Sequence, residues 1–206
     1  MHVDHVEREW KIIVDGPDAM ERLVSWLGTP EREHRQRNIY FDTPDSDLRR
    51  MRRMLRVRVA GGTVVITFKS DSQIVDGFMS SREIEMELDA QTWSAVDRGE
   101  RDLADLPHAP VVAALEGLSS PRLRAHGELQ NLRRFYPRSA GYTLELDQTH
   151  YPDGTVDGEI EAEVISERAM VVRADLEAIL QSVELPMTPQ TQSKYARLLE
   201  RGMDEG

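Results

Sequence analysis

The chain has 206 residues, no cysteine, and 26 Lys and Arg against 37 Asp and Glu, a formal net charge of −11. Disulfides, thiolate metal sites and a cysteine nucleophile are therefore excluded, and the acidic balance argues against broad nucleic-acid binding, which shows a net basic domain. No stretch approaches the ~18 apolar residues of a membrane span, and the opening MHVDHVEREWK lacks a signal-peptide core, so a cytoplasmic protein with no membrane partner is expected.

In chain order, period-two alternation predicts a strand over residues 5–14, with Val6, Arg8, Trp10 and Ile12 on one face and Glu7, Glu9, Lys11 and Ile13 on the other. Gly16-Pro17-Asp18 breaks it, and the spacing of Met20, Leu23, Val24 and Leu27 predicts a helix over 18–27 with Gly28 as its cap. A strand at 36–41 runs into a turn at 42–45, and a hairpin joins 54–59 to 63–69 across Gly61-Gly62. A strand at 81–88 follows, then helices at 90–100 and 111–117. Strands at 128–136, 142–149 and 158–164 come next, and helices at 173–180 and 190–201 close the chain. No Gly-, Ser- or Pro-rich linker divides this series, so one domain spanning residues 1–206 is expected. The fold class is α+β: an eight-stranded antiparallel barrel with helices packed outside it.

The charges are sorted by strand. Arg56 and Arg58 share a face against Leu55, Val57 and Val59, and Thr67 and Lys69 oppose Ile66 and Phe68. Glu83, Glu85 and Glu87 oppose Ile84, Met86 and Leu88. Glu145 and Asp147 oppose Leu144 and Leu146, and Glu159, Glu161 and Glu163 oppose Ile160, Ala162 and Val164. An ordinary sheet with one solvated face would explain any one of these strands. The helices, however, need apolar sheet faces to pack on, which turns the charged faces inward. Such an interior is stable only where its charges are paired. Carboxylates of Glu7, Glu9, Glu159 and Glu161 would suit Mg2+ or Mn2+. Arg56 and Arg58 would offer forked donors, and Lys11 and Lys69 point charges, to an anion as highly charged as a triphosphate. A second metal, or one of Glu83 and Glu85, would orient an attacking water.

Glu7-Arg8-Glu9-Trp10-Lys11 resembles the E-x-E-x-K signature of the CYTH family, the triphosphate tunnel metalloenzymes. Behind it, in family order, stand Ile39-Tyr40-Phe41-Asp42-Thr43-Pro44, Leu55-Arg56-Val57-Arg58 and Thr67-Phe68-Lys69. Ser81-Arg82-Glu83-Ile84-Glu85, Glu159-Ile160-Glu161 and Ser193-Lys194-Tyr195 complete the series. The resemblance implies a tunnel, dependence on Mg2+ or Mn2+, and a small-molecule triphosphate as partner, in a monomer or homodimer. It assigns Glu7, Glu9, Glu159 and Glu161 to metal, with Asp147 as a further metal or supporting carboxylate. Lys11, Arg56, Arg58, Lys69 and one of Arg133 and Arg134 would hold phosphate, with Arg82 and Lys194 as further contacts. Lys11, Glu83 and Glu85 are the candidates for catalysis. The family often places a proline after the lysine of the Thr67-Phe68-Lys69 segment. Here Ser70-Asp71-Ser72 follows, so a loop over 71–79 is expected to cover the tunnel mouth differently. The implied activity is hydrolysis of a terminal phosphoryl group. The alternatives are cyclisation of ATP, as in one branch of the family, and binding of a triphosphate or polyphosphate without catalysis.

The six histidines show no metal spacing. Trp10 and Trp26 lie on apolar faces and are expected in the core. Arg49, Arg50, Arg52 and Arg53 precede a strand and are expected to be mostly solvated, and for Lys194 a surface ion pair competes with a phosphate contact.

Overall fold

The protein is described by a computed structural model over residues 2–75, 77–119 and 121–202. Its strands are β1 (His2–Val14), β2 (Arg32–Asp42), β3 (Met54–Ala60), β4 (Thr63–Val75), β5 (Phe78–Glu87), β6 (Arg124–Arg138), β7 (Tyr142–His150) and β8 (Val156–Glu163). The helices are α1 (Pro17–Leu27), α2 (Asp47–Arg50), α3 (Ala90–Asp97), α4 (Ala109–Leu115), α5 (Ala169–Ser182) and α6 (Lys194–Gly202). Hydrogen bonding orders the strands β1-β5-β4-β3-β2-β6-β7-β8 and closes them into a barrel. Among the described residues no helix is long and apolar enough to cross a membrane.

The chain divides into two compact units. The first comprises Met1–Val6, Gln36–Ser72 and Ser81–Leu129. In it β3 pairs with β2 and with β4, and Gly61 and Gly62 at the β3–β4 turn have φ of 58° and 84°. Both values are positive, the conformation a tight two-residue hairpin demands. Leu55, Val57, Ile66 and Phe68 point to one face of this sheet and are buried under Trp93 and Val96 of α3 and Val111 and Ala114 of α4. Each such side chain removed from water contributes about 1.5–3 kcal/mol. Helix α3 starts where the Asp89 carboxylate accepts the Thr92 N–H at 2.8 Å, and Pro110 lies in the first turn of α4.

The second unit comprises Glu7–Arg35, Gln73–Ser80 and Gln130–Gly206. Here β7 lies between β6 and β8, and β8 also pairs with β1. Trp10, Ile12, Leu144, Leu146 and Ile160 form the apolar sheet face, covered by Leu23 of α1 and by Val172, Leu176 and Ile179 of α5. A Cβ on Gly158 would sit 2.6 Å from the Val14 carbonyl and 2.8 Å from the end of Met20, so only glycine lets β8 and β1 approach this closely.

Several expectations are revised. The 71–79 segment is no long loop: β4 runs on to Val75 and β5 begins at Phe78, with Asp76 outside the described residues. The last helix starts at Lys194, not 190, because residues 188–190 bond to β1 instead. The Ile13 N–H donates to Thr188 O and the Gln190 N–H to Lys11 O, both at 2.9 Å. Trp26 is 44% exposed at the end of α1, its ring under the Arg138 guanidinium at 5.7 Å. The expectation of mostly solvated arginines holds for Arg49, Arg50 and Arg52, which are exposed, whereas Arg53 donates to the Ala114 and Glu116 carbonyls at the end of α4. The buried Asp42 carboxylate accepts N–H groups of Thr43, Leu48 and Arg49, which folds the 42–45 turn into α2.

Candidate active site

In each unit the sheet face opposite the helices is charged and largely buried. Strand register builds the second unit's cluster. Lys11 of β1 and Glu145 of β7 are both paired with Glu161 of β8. Asp147 of β7 pairs with Glu159 on one side and with Arg133 of β6 on the other. Neighbouring pairs on one sheet face bring their side chains within reach, so the alternation of these four strands suffices to gather the charges.

The resulting contacts are dense. Arg133 donates to both Asp147 oxygens at 2.7 and 2.6 Å and also pairs with Glu161 and Glu145. Lys11 lies 3.2 Å from Glu9 and contacts Glu161. Lys194, the first residue of α6, stands 2.8 Å from both Asp147 and Glu161 and pairs with Glu159. Its ammonium is therefore neither a surface ion-pair partner nor solvated. Carboxylate oxygens of Asp147, Glu159 and Glu161 all fall within 4.8 Å of one another. Such a trio of hard oxygens fits Mg2+ or Mn2+, with the Lys194 ammonium placed among them. Of the other carboxylates expected at a metal, Glu9 is buried beside Lys11 and Glu7 is half-buried on β1.

Electrostatics keeps the cluster ionised. Burial alone would raise the Asp147 and Glu161 pKa values. Arg133 and Lys194 around Asp147, and Lys11, Lys194 and Arg133 around Glu161, instead hold both well below the usual carboxylate range. Burial would lower Lys11 and Lys194, yet the surrounding carboxylates raise both above an ordinary lysine.

In the first unit, the β3–β4 register sets Arg56 opposite Thr67, and the Arg56 guanidinium donates to the Thr67 hydroxyl at 3.1 Å. Thr67 in turn donates to Glu85 at 2.7 Å, and Arg56 lies 3.9 Å from the same carboxylate. The Arg58 Nε donates to the side-chain oxygen of Asn38, its β2 partner, at 2.9 Å. Lys69 and Glu83 pair at 3.1 Å. For Glu85 burial works against ionisation, but the Thr67 hydrogen bond and the Arg56 charge prevail and lower its pKa.

Arg82, an expected phosphate contact, and Arg134, one of two alternatives, fall elsewhere. Arg82 has the parity of Ile84, not of Glu83 and Glu85, so it points away from the carboxylates and pairs with exposed Asp4 at 2.8 Å. Arg134 likewise turns to the face opposite Arg133 and pairs with Glu33 at 2.8 Å, which resolves the two-register ambiguity in favour of Arg133. One residue was not anticipated. Arg197 of α6 is buried, donates to Glu159 at 2.6 Å and to the Tyr151 hydroxyl at 2.9 Å, and pairs with Asp157 at 3.0 Å. Its position one helical turn after Lys194 was the available signal.

The CYTH domain pattern matches residues 5–195. A solved structure from Hippeastrum, of the candidate adenylyl cyclase HpAC1 described as having a dominant triphosphatase activity, is similar at 27% identity and a TM-score of 0.85. The match covers 94% of this chain and 95% of that one. A candidate adenylate cyclase from Bacillus halodurans matches at 28% identity and a TM-score of 0.74, covering 94% and 97%. The PH1819 protein of Pyrococcus horikoshii shares the fold at 20% identity and a TM-score of 0.63, covering 94% and 99%. Among curated proteins no match was found.

Proposed function

We propose, on the premise that this chain belongs to the CYTH family, that it hydrolyses the terminal phosphoryl group of a small-molecule triphosphate with a divalent cation. The observation that carries this reading is the convergence of Asp147, Glu159 and Glu161 within 4.8 Å on a buried, cation-rich strand face. The triphosphatase activity described for the Hippeastrum relative supports it.

Asp147, Glu159 and Glu161 would hold Mg2+ or Mn2+, with Glu7 and Glu9 as further carboxylates. When bound, the ion supplies Lewis-acid neutralisation of phosphoryl oxygens. Arg56 and Arg58 would clamp non-bridging oxygens through forked donors held in place by Thr67 and Asn38. Lys11, Lys69 and Arg133 would add positive charge where negative charge develops as the bridging P–O bond breaks. Glu85, kept ionised by Thr67 and Arg56, can accept a hydrogen bond from the attacking water and orient it in line. Glu83, paired with Lys69, fixes that lysine's position.

The test is orthophosphate release from tripolyphosphate, thiamine triphosphate and ATP with Mg2+ or Mn2+, abolished by EDTA. No release from any of the three would overturn the reading. Cyclic AMP formed from ATP without orthophosphate would assign cyclase chemistry, and metal-independent binding without turnover a binding module.

A further inference from the structure

On the helix-covered side of the first unit's sheet lies a cavity of about 890 Å³ that the proposed hydrolysis does not use. Strand β2 separates it from the charged cluster by simple alternation: Asn38 turns to Arg58, while Arg37, Ile39 and Phe41 turn to the cavity. Ile39, Phe41, Val96, Leu103 and Leu123 make an apolar floor. The volume is within the range of small-molecule sites, and an apolar floor with a few convergent polar groups is their usual composition.

Four arginines and four carboxylates line the cavity, a balance unlike the −11 of the whole chain. The carboxylates are mostly engaged. Asp97 and Glu128 both bind the Arg37 guanidinium, each at 2.9 Å. Asp102 accepts the Ala104 N–H at 2.9 Å and the Leu123 N–H at 3.3 Å, leaving Asp105 as the lining carboxylate with no partner among the described residues. The cations divide differently. Arg101, Arg122 and Arg124 are exposed at the cavity, and among the described residues their guanidinium groups have neither a hydrogen bond nor an ion pair. His126 stands beside them.

We propose that this cavity is a second ligand site, for a small organic anion that lays a flat apolar body on the Ile39/Phe41/Leu123 floor. Its phosphate or carboxylate would meet the Arg101, Arg122 and Arg124 forks. Guanidinium groups suit both anions, since two parallel N–H donors match two oxygens. The floor selects against inorganic phosphate, which has no apolar surface to bury.

Calorimetric titration of the full chain, without metal, with phenyl phosphate, benzoate and inorganic phosphate tests this. Expected is one saturable site per chain for phenyl phosphate or benzoate, whichever anion fits the fork, with inorganic phosphate weaker. Affinity should fall as salt rises. The double variant Arg122→Glu/Arg124→Glu, both on the exposed rim, should weaken binding about tenfold or more, the loss of at least one charge-assisted hydrogen bond. It should leave tripolyphosphate hydrolysis and the far-UV spectrum unchanged. Arg124→Gln provides the same test with a milder change. Binding unaffected in both rim variants, binding lost instead in Arg56→Ala, equal affinity for inorganic phosphate, or no saturable binding would each overturn the proposal.

Discussion

The two charged clusters differ in how densely their ions are packed. In the second unit, cations and carboxylates are pressed together: Arg133 alone meets Asp147, Glu145 and Glu161, and Lys194 meets three carboxylates. In the first the ions meet in ones and twos: Lys69 pairs with Glu83, Arg56 lies 3.9 Å from Glu85 and donates to Thr67, and Arg58 donates to Asn38. The difference teaches that a strand face can carry buried charge in two ways. One neutralises it internally, so that a bound metal must compete with resident cations. The other spreads it over smaller ion pairs, with uncharged Thr67 and Asn38 helping to orient the arginines.

Asp147→Ala should break this contrast most severely. It strands buried Arg133 and Lys194, so urea unfolding should show a loss of about 3–5 kcal/mol together with loss of phosphate release. Arg56→Ala removes a cation of the sparser cluster, held by Thr67 and 3.9 Å from Glu85. Turnover of tripolyphosphate should fall about 10²–10³-fold, while stability drops only about 1–2 kcal/mol. If the two variants lost equal stability, the clusters would not differ in the way described. Arg197→Met removes the guanidinium that orients the Glu159 carboxylate and should weaken Mn2+ affinity about 10–100-fold by calorimetry, with Arg197→Lys partly restoring it. The smallest effect belongs to Tyr142, at the edge of the second unit. Burial and the hydrogen bond to Asp175 raise its pKa above the ordinary 10.0. A raised pKa means the folded state holds the proton more tightly, so this stability is complete below pH 10.0 and is lost as pH rises above it. Thermal melts of wild type should fall over that alkaline range more steeply than those of Tyr142→Phe.

Much of this was legible from alternation. Glu9, Lys11, Arg56, Glu83 and Asp147 are charged and buried on strands whose other face is apolar, a pattern that period two displays directly. The Gly61-Gly62 hairpin was equally plain. Alternation also held the correct answer for Arg82, whose parity with Ile84 outweighs its place in a motif. It could not choose between Arg133 and Arg134, because adjacent arginines fit either face until Asp147 fixes the register. Arg197 escaped notice because an arginine on a polar helix resembles a solvated one. Its place one turn after Lys194 pointed inward, and the docking of α6 buries it. Trp26 is the converse case: its helical phase is apolar, but at the end of α1 its ring meets the Arg138 guanidinium and stays 44% exposed. The cavity beside Arg122 and Arg124 has no signature in the sequence at all, since its floor comes from strands and helices far apart in the chain.

The backbone clamp at residues 188–190 constrains how the protein can move. Lys11 donates its N–H to Gly77 at 2.7 Å and accepts from Gln190, so its main chain is held from two sides. Only residues 191–193 separate that anchor from Lys194. Any swing of α6 that lifts Lys194 off the carboxylates must therefore turn about a three-residue fulcrum. Lys194 would stay within roughly 14 Å of the Gln190 anchor for as long as the 188–190 hydrogen bonds hold.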